Sequence, residues 1–309
     1  SDYILSESNT RLLTVADVQK MDAVLLAYAR NEIYARHGFP FQSEQYRQHF
    51  SSKSWYAKNA AFDDSTLTDT EKQNIEFLSV MENLRKGDAP LELNPSKPPM
   101  LSLSGDTSAR RLKIEFTGKD VETQIVLQYG DMRQTFSGER LEGKIFLCDM
   151  DDSDGYLELL VPEDGPSADC AINVIGIQSG ELLQIGRIEG TMETLHLSGG
   201  GAVTGSGIAN TLCIWTHPVD YRLDEHHVLN VEPRAEYAMN ISATMSDTLK
   251  LTKNKDGGGT AFTVKKGDKV ELLFSDDKTW VALRKAGESE IGYFQVSGGG
   301  ESLADGRQS

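Results

Sequence analysis

Four of the chain's nine prolines, Pro90, Pro95, Pro98 and Pro99, fall between Asp88 and Met100. Each fixes φ and removes a backbone donor, so neither a helix nor a central strand is expected to run through this stretch. It reads as an extended, fairly stiff connector. It also marks a change of hydrophobic period: before it apolar residues recur every three or four positions, and after it they alternate. One fold type for all 309 residues is thereby excluded. The expectation is a multidomain α plus all-β chain, with a small helical domain at 1–87, the connector at 88–100, a central antiparallel β-rich domain at 101–240, a small β barrel at 241–296 and a flexible tail at 297–309.

Within the helical part, Asp22 is placed to cap a helix that carries Leu25, Leu26, Ala29 and Ile33, with His37 at its end, on one buried face. Glu32 and Arg36 stand four apart and can pair on another face. Gly38 ends the helix and Pro40 prevents its resumption. Thr14 and Asp17 form a capping-box pattern, Ser43 can cap a helix bearing Tyr46 and Phe50, and Thr68 to Glu71 opens a longer one bearing Ile75, Leu78, Met81 and Leu84. Trp55 and Tyr56 are expected to fill the centre. His37 admits two readings: an acid–base or metal group with Glu32 or Tyr34, or a last-turn cap packed under Trp55 and Tyr56.

The run Tyr28-Ala-Arg-Asn-Glu-Ile-Tyr-Ala-Arg-His-Gly38 continues into Phe39-Pro40-Phe41, then Tyr46 and Phe50, Ser54-Trp55-Tyr56, Leu67-Thr68 and Glu71-Lys72-Gln73-Asn74-Ile75. Over residues 2–86 this resembles the bacterial YARHG domain. The resemblance implies an extracellular, envelope-associated domain with no established chemistry. Tyr34, Ala35, Arg36, His37 and Gly38, with Trp55 and Tyr56, are read as structural.

Beyond the prolines, short alternating runs at 111–117, 124–129, 144–148, 156–161, 171–177, 182–188 and 212–216 predict strands, with hairpin turns at Tyr129-Gly130-Asp131 and Ser179-Gly180. Between two of them lies Asp149-Met-Asp-Asp-Ser-Asp-Gly-Tyr-Leu-Glu158. Asp149, Asp151, Ser153 and Glu158 supply the alternating oxygens that Ca²⁺ asks of a tight loop. The stretch resembles calcium loops of the dockerin, EF-hand or integrin-repeat kind, but Asp154 stands where their glycine belongs. A self-capped Asp/Ser turn explains the same letters. With Gly165 to Asp169 it also resembles a β module of Gram-positive surface proteins. No other cofactor is implied.

Cys148, Cys170 and Cys213 sit in apolar strand-like runs, where free cysteine behaves as a small buried hydrophobe. The glycines of 199–201 and 205–207 complete no phosphate-binding fingerprint and read as loops. Cys213, His217, Asp220, Asp224, His226 and His227 include zinc-type ligands at spacings that match no standard site.

The last unit alternates through Thr248–Leu251, Phe262–Leu273, Thr279–Leu283 and Glu290–Phe294, with a turn at Lys266-Gly267-Asp268. It is similar to bacterial SH3-like (SH3b) domains, with Gly292-Tyr293-Phe294 as the closing element and Thr248–Leu251 replacing the usual Asn-Val-Arg start. That resemblance implies cell-wall or peptide binding, which makes Trp280 and Tyr293 candidates for a shallow aromatic surface; core packing of Trp280 is the other reading.

Net charge is −16, and residues 88–240 hold most of it, with 11 basic against 25 acidic groups. Such a surface repels phosphate backbones, so nucleic acid is not an expected partner. No apolar run is long enough to span a bilayer. Because the chain begins at Ser1 rather than methionine, an upstream signal or anchor is expected, and membrane association only through it. No hydrolase, zincin, Walker or dinucleotide signature is present. The expectation is a non-enzymatic, extracellular or envelope-anchored binding protein whose partner is cell-wall glycan, peptide or protein. The alternative is an enzyme of unrecognised type that uses carboxylates of the central β domain.

Overall fold

The structure, a computed structural model, describes residues 2–87, 89–103, 110–119, 122–165, 169–178, 181–212 and 215–296. A helical N-terminal segment is followed by a largely antiparallel β region. The helices are α1 (Val15–Val18), α2 (Ala23–Arg36), α3 (Glu44–Ser51) and α4 (Asp69–Leu84). Asp22 Oδ1 accepts the Leu25 amide at 2.7 Å, so α2 starts where its cap residue stands. Thr14 with Asp17 and Thr68 with Glu71 close reciprocal capping boxes on α1 and α4. Ser43 precedes α3 without a side-chain cap.

Leu26, Ala29 and Ile33 of α2 are buried, as their spacing requires, whereas Leu25 is 40% exposed. Trp55 and Tyr56 are only half-buried; Phe50 and Phe77 are the fully buried rings of this segment.

Strands follow as β1 (Leu91–Glu92), β2 (Met100–Leu101), β3 (Arg110–Lys119), β4 (Glu122–Tyr129), β5 (Met132–Glu139), β6 (Phe146–Cys148), β7 (Leu157–Glu163), β8 (Ala171–Gln178) and β9 (Glu181–Glu189). They form one sheet in the order β1-β6-β7-β8-β9 and another in the order β2-β3-β4-β5. The β4–β5 hairpin turns at Gly130, φ +61, as its Tyr-Gly-Asp letters predict. The Ser179-Gly180 turn lies outside the described residues.

The proline-rich stretch differs from a bare connector. Its ends supply β1 and β2, which pair with β6 and β3, and Val15 N donates to Ser102 O at 2.9 Å. Buried residues of the helices, among them Leu26, Phe77, Leu78 and Met81, belong to one continuous cluster with Leu101, Leu112, Leu127, Leu147 and Leu159 of the sheets. Prolines hinder a strand's interior but leave two-residue edge pairings open, and the apolar face of α4 is covered this way.

The chain divides into two compact units: Ser1–Ile188 with His196–Val203 and Arg222–Asn230, and Glu189–Leu195 with Thr204–Tyr221 and Val231–Ser309. Neither limit coincides with the expected boundaries at 100 and 240. Strands β10 (His196–Leu197), β11 (Ala202–Ile208), β12 (Thr216–Leu223) and β13 (Leu229–Glu232) form a sheet in that order. The glycines of 205–207, expected as a loop, lie inside β11. A Cβ at Gly207 would meet the Glu189 carboxylate and Val219, so a larger residue there would need those side chains to shift.

The remaining strands are β14 (Tyr237–Thr244), β15 (Leu249–Lys250), β16 (Thr263–Val264), β17 (Lys269–Ser275), β18 (Trp280–Lys285) and β19 (Gly292–Gln295). They make a sheet ordered β14-β17-β18-β19 and a separate β15-β16 pair. Val264, Val270, Val281, Leu283 and Phe294 fill its core. Gly267, φ +90, makes the predicted Lys-Gly-Asp turn.

Candidate functional site

The polar groups at the end of α2 are committed to architecture. Glu32, 1% exposed, accepts the amides of Ile4 at 2.8 Å and Leu5 at 3.3 Å. Arg36 donates to Glu32 Oε1 at 2.7 Å, to Leu5 O at 2.9 Å and to Ser8 Oγ at 3.0 Å, with its guanidinium 4.4 Å from the Tyr3 ring. The Glu32–Arg36 pair therefore staples the N-terminal segment to α2. His37 is the C-cap of α2, and its Nε2 lies 2.8 Å from Glu71 Oε1 in the first turn of α4. Burial pushes the Glu71 carboxyl up, but its hydrogen bonds to His37 and Thr68 outweigh this and hold it below the usual range.

Gly38 has φ +79, and a Cβ there would meet Ala57 O at 2.5 Å. Ala35 is buried with Phe41 and Phe50, Tyr34 packs on Phe39 and Phe62, and the Tyr56 hydroxyl donates to Phe39 O at 2.8 Å. Trp55 packs on Tyr3 at 4.9 Å.

The four candidate calcium-binding residues of the acidic loop engage Arg85, His227 and one another. Asp149 Oδ2 pairs with Arg85 at 2.7 Å. Asp151 Oδ1 accepts from Ser153 N at 3.0 Å and Ser153 Oγ at 2.6 Å, closing the self-capped turn. Glu158, fully buried, takes the Met150 amide at 2.7 Å on Oε2. Its Oε1 lies 2.7 Å from His227 Nε2, while His227 Nδ1 lies 3.0 Å from Asp154 Oδ2. The bend that seemed to lack a glycine at 154 is made one residue later by Gly155, φ +77. Among the described residues, no group of three or more His, Cys, Asp and Glu is arranged to hold a metal ion.

His227 is 5% exposed and faces a carboxylate with each ring nitrogen. Burial lowers its pKa, but the Asp154 and Glu158 carboxylates beside its nitrogens outweigh this and raise it to about 9. The imidazolium thus clasps both ends of the loop turn. The sequence flagged His227 only within a zinc-type run, because its partners lie some seventy positions away. The rest of that run scatters: Asp220 pairs with Arg234, Asp224 caps the amides of His226 and Val228, and Cys213 lies outside the described residues. His217 sits 3.2 Å from Asp277, whose oxygens also take the Asn210 and Thr211 amides.

A larger feature, unmarked by any motif, is an open cleft of about 1180 Å³ lined by residues of β4, β5, β7 and β8. Its buried carboxylate is Glu163, which accepts from Arg187 Nε at 2.8 Å and Asn173 Nδ2 at 2.8 Å. Glu122 and Glu139, both exposed, line it and are direct cross-strand partners, with Lys119 opposite Glu122 in β3. Gln124, Ser137 and Asp169 add hydrogen-bonding groups. Among the lining residues Glu122, Glu139, Glu163 and Asp169 outnumber Arg187, so the cleft favours a cationic group.

Trp280 and Tyr293 are neighbours, edge to face at 5.8 Å. Trp280 is 7% exposed, with Lys255 Nζ 4.1 Å from its ring centre, so it offers no open aromatic surface; Tyr293 is half-buried.

No curated protein matches the chain. A family model described as the YARHG domain matches residues 1–83, so the helical segment that carries the Tyr34–Gly38 motif is a YARHG domain.

Proposed function

We propose that the chain is a non-enzymatic binding protein of the bacterial cell envelope, exposed outside the cell, that engages cell-wall material or a protein partner through the cleft of its central β region. The single observation that carries this is the Glu122–Glu139 like-charge pair at a polar cleft of about 1180 Å³. That lining suits a ligand rich in hydroxyl, amide and ammonium groups, as peptide-bearing wall polymers are. The motif residues of the YARHG domain serve to hold its helices and N-terminal segment in place. The last unit, read as SH3b-like, would add a second wall-facing module, and its antiparallel β14-β17-β18-β19 sheet supports that reading.

The same carboxylates favour a second reading, an enzyme acting on a glycan or peptide. Acid–base work needs one carboxyl kept protonated by desolvation while its partner stays ionised. Glu122 and Glu139 are both exposed, and Glu163 is saturated by Arg187 and Asn173, which favours binding over catalysis. Titration of the full chain with soluble cell-wall fragments tests both. The binding reading expects saturable association that weakens in Glu122→Gln/Glu139→Gln, with the fragments recovered intact. Cleaved fragments from the wild type and none from the double variant would support the enzyme instead.

A further inference from the structure

At the end of α4, between β6 and the β10 region, lies a cavity of about 330 Å³ lined by Leu84, Arg85, Gly87, Cys148, Asp149 and His196. The Asp149 side chain is 3% exposed. Its Oδ2 is held by Arg85, but its Oδ1 is buried without a hydrogen-bond partner among the described residues. Native proteins leave few buried polar atoms unsatisfied, and each that remains calls for an explanation, a bound donor being one. We propose that this cavity binds a small molecule through a primary ammonium group that donates to Asp149 Oδ1.

Charge supports a cation over a neutral donor. Among the described residues Arg85 pairs with Asp149; burial, then the like charges of Glu158 and Asp154, push the Asp149 pKa up to about 6, and the three carboxylates Asp149, Asp154 and Glu158 face two cations, Arg85 and the His227 imidazolium. An added positive charge relieves that excess. The Cys148 thiol, fully buried and pushed well above its ordinary value, stays neutral and does not compete. The volume matches the lower range of small-molecule pockets, and an ammonium is a compact three-donor group. This site shares no residue with the cleft and does not depend on the envelope-binding reading.

Amide-resolved NMR titration of the full chain with glycinamide, a small primary ammonium, and acetamide, its uncharged analogue, tests the proposal. Glycinamide should give saturable shifts at the amides of Gly87 and Gly199, and acetamide should bind at least about tenfold more weakly. Asp149→Asn should weaken glycinamide by a similar factor. Gly87→Phe provides a second variant that leaves the fold intact: Gly87 is exposed, and the nearest atom to an added Cβ is Ala89 N at 3.9 Å. Its ring should fill the mouth and abolish the shifts even if Asp149→Asn fails to fold. Equal responses to both probes, no saturable response to glycinamide, or glycinamide binding that survives Gly87→Phe would overturn the proposal.

Discussion

His37 Nε2 and Glu71 Oε1, 2.8 Å apart, join the stop of one helix to the start of another. Glu71 also takes the Thr68 amide at 2.9 Å, so one carboxylate caps α4 and receives the C-cap residue of α2. Removing the imidazole leaves that carboxylate with its capping bonds and without its lateral partner.

Gly38→Ala should therefore cost more than His37→Ala. The left-handed φ of +79 costs a residue with a Cβ about 1–2 kcal/mol, and the collision with Ala57 O adds to it. His37→Ala loses one partly exposed hydrogen bond, about 1 kcal/mol. Thermal melts of the two variants give the order; an equal or smaller loss in Gly38→Ala would contradict it.

His227 contributes a pH dependence on the alkaline side. Its folded pKa, about 9, lies above its ordinary value of 6.5, so its contribution is complete below that value and disappears as pH rises through about 9. The contribution is on the order of 3 kcal/mol for a buried group shifted this far. Denaturant midpoints of wild type and His227→Gln should differ at pH 6 and converge by pH 10. A gap that persists at alkaline pH would mean that packing, not charge, explains the residue.

Calcium and magnesium should act alike. Glu158 is engaged by His227, Asp151 by its own turn, and Asp149 gives Oδ2 to Arg85, which leaves it one free carboxylate oxygen among the described residues, too few for a Ca²⁺ site. Millimolar Ca²⁺ should raise the melting temperature no more than Mg²⁺ does, and Asp151→Ala should not change that. A Ca²⁺-specific rise that vanishes in Asp151→Ala would make the loop a metal site.

Residues 1–87 alone should melt at lower temperature and less cooperatively than the whole chain, since Leu78 and Met81 share a buried cluster with Leu101 and Leu112. A protease nick between 87 and 100 should leave the two fragments associated. A fragment as stable as the whole would restore the separate-module view.

Helix starts and stops were legible because their signals are local: Asp22, Thr68 and Gly38 each act on neighbours within four positions. Glu32 and Arg36 were legible as a pair, yet not as the staple on Ile4 to Ser8, since a contact 28 residues back leaves no periodic trace. The strand β5 escaped notice because Met132–Glu139 has one exposed face and few apolar letters. The cleft was invisible for a related reason. Glu122 and Glu139 meet only through hairpin register, and Glu163 meets Arg187 24 positions on, across β8, which lies between β7 and β9.

Co-sedimentation with purified bacterial cell-wall sacculi separates architecture from recognition most directly. His37→Ala should melt at lower temperature yet bind, per folded molecule, as well as wild type, while Glu122→Gln/Glu139→Gln keeps its stability and loses binding. Binding abolished by His37→Ala at unchanged stability, with the double variant unaffected, would place recognition in the YARHG motif and contradict the account.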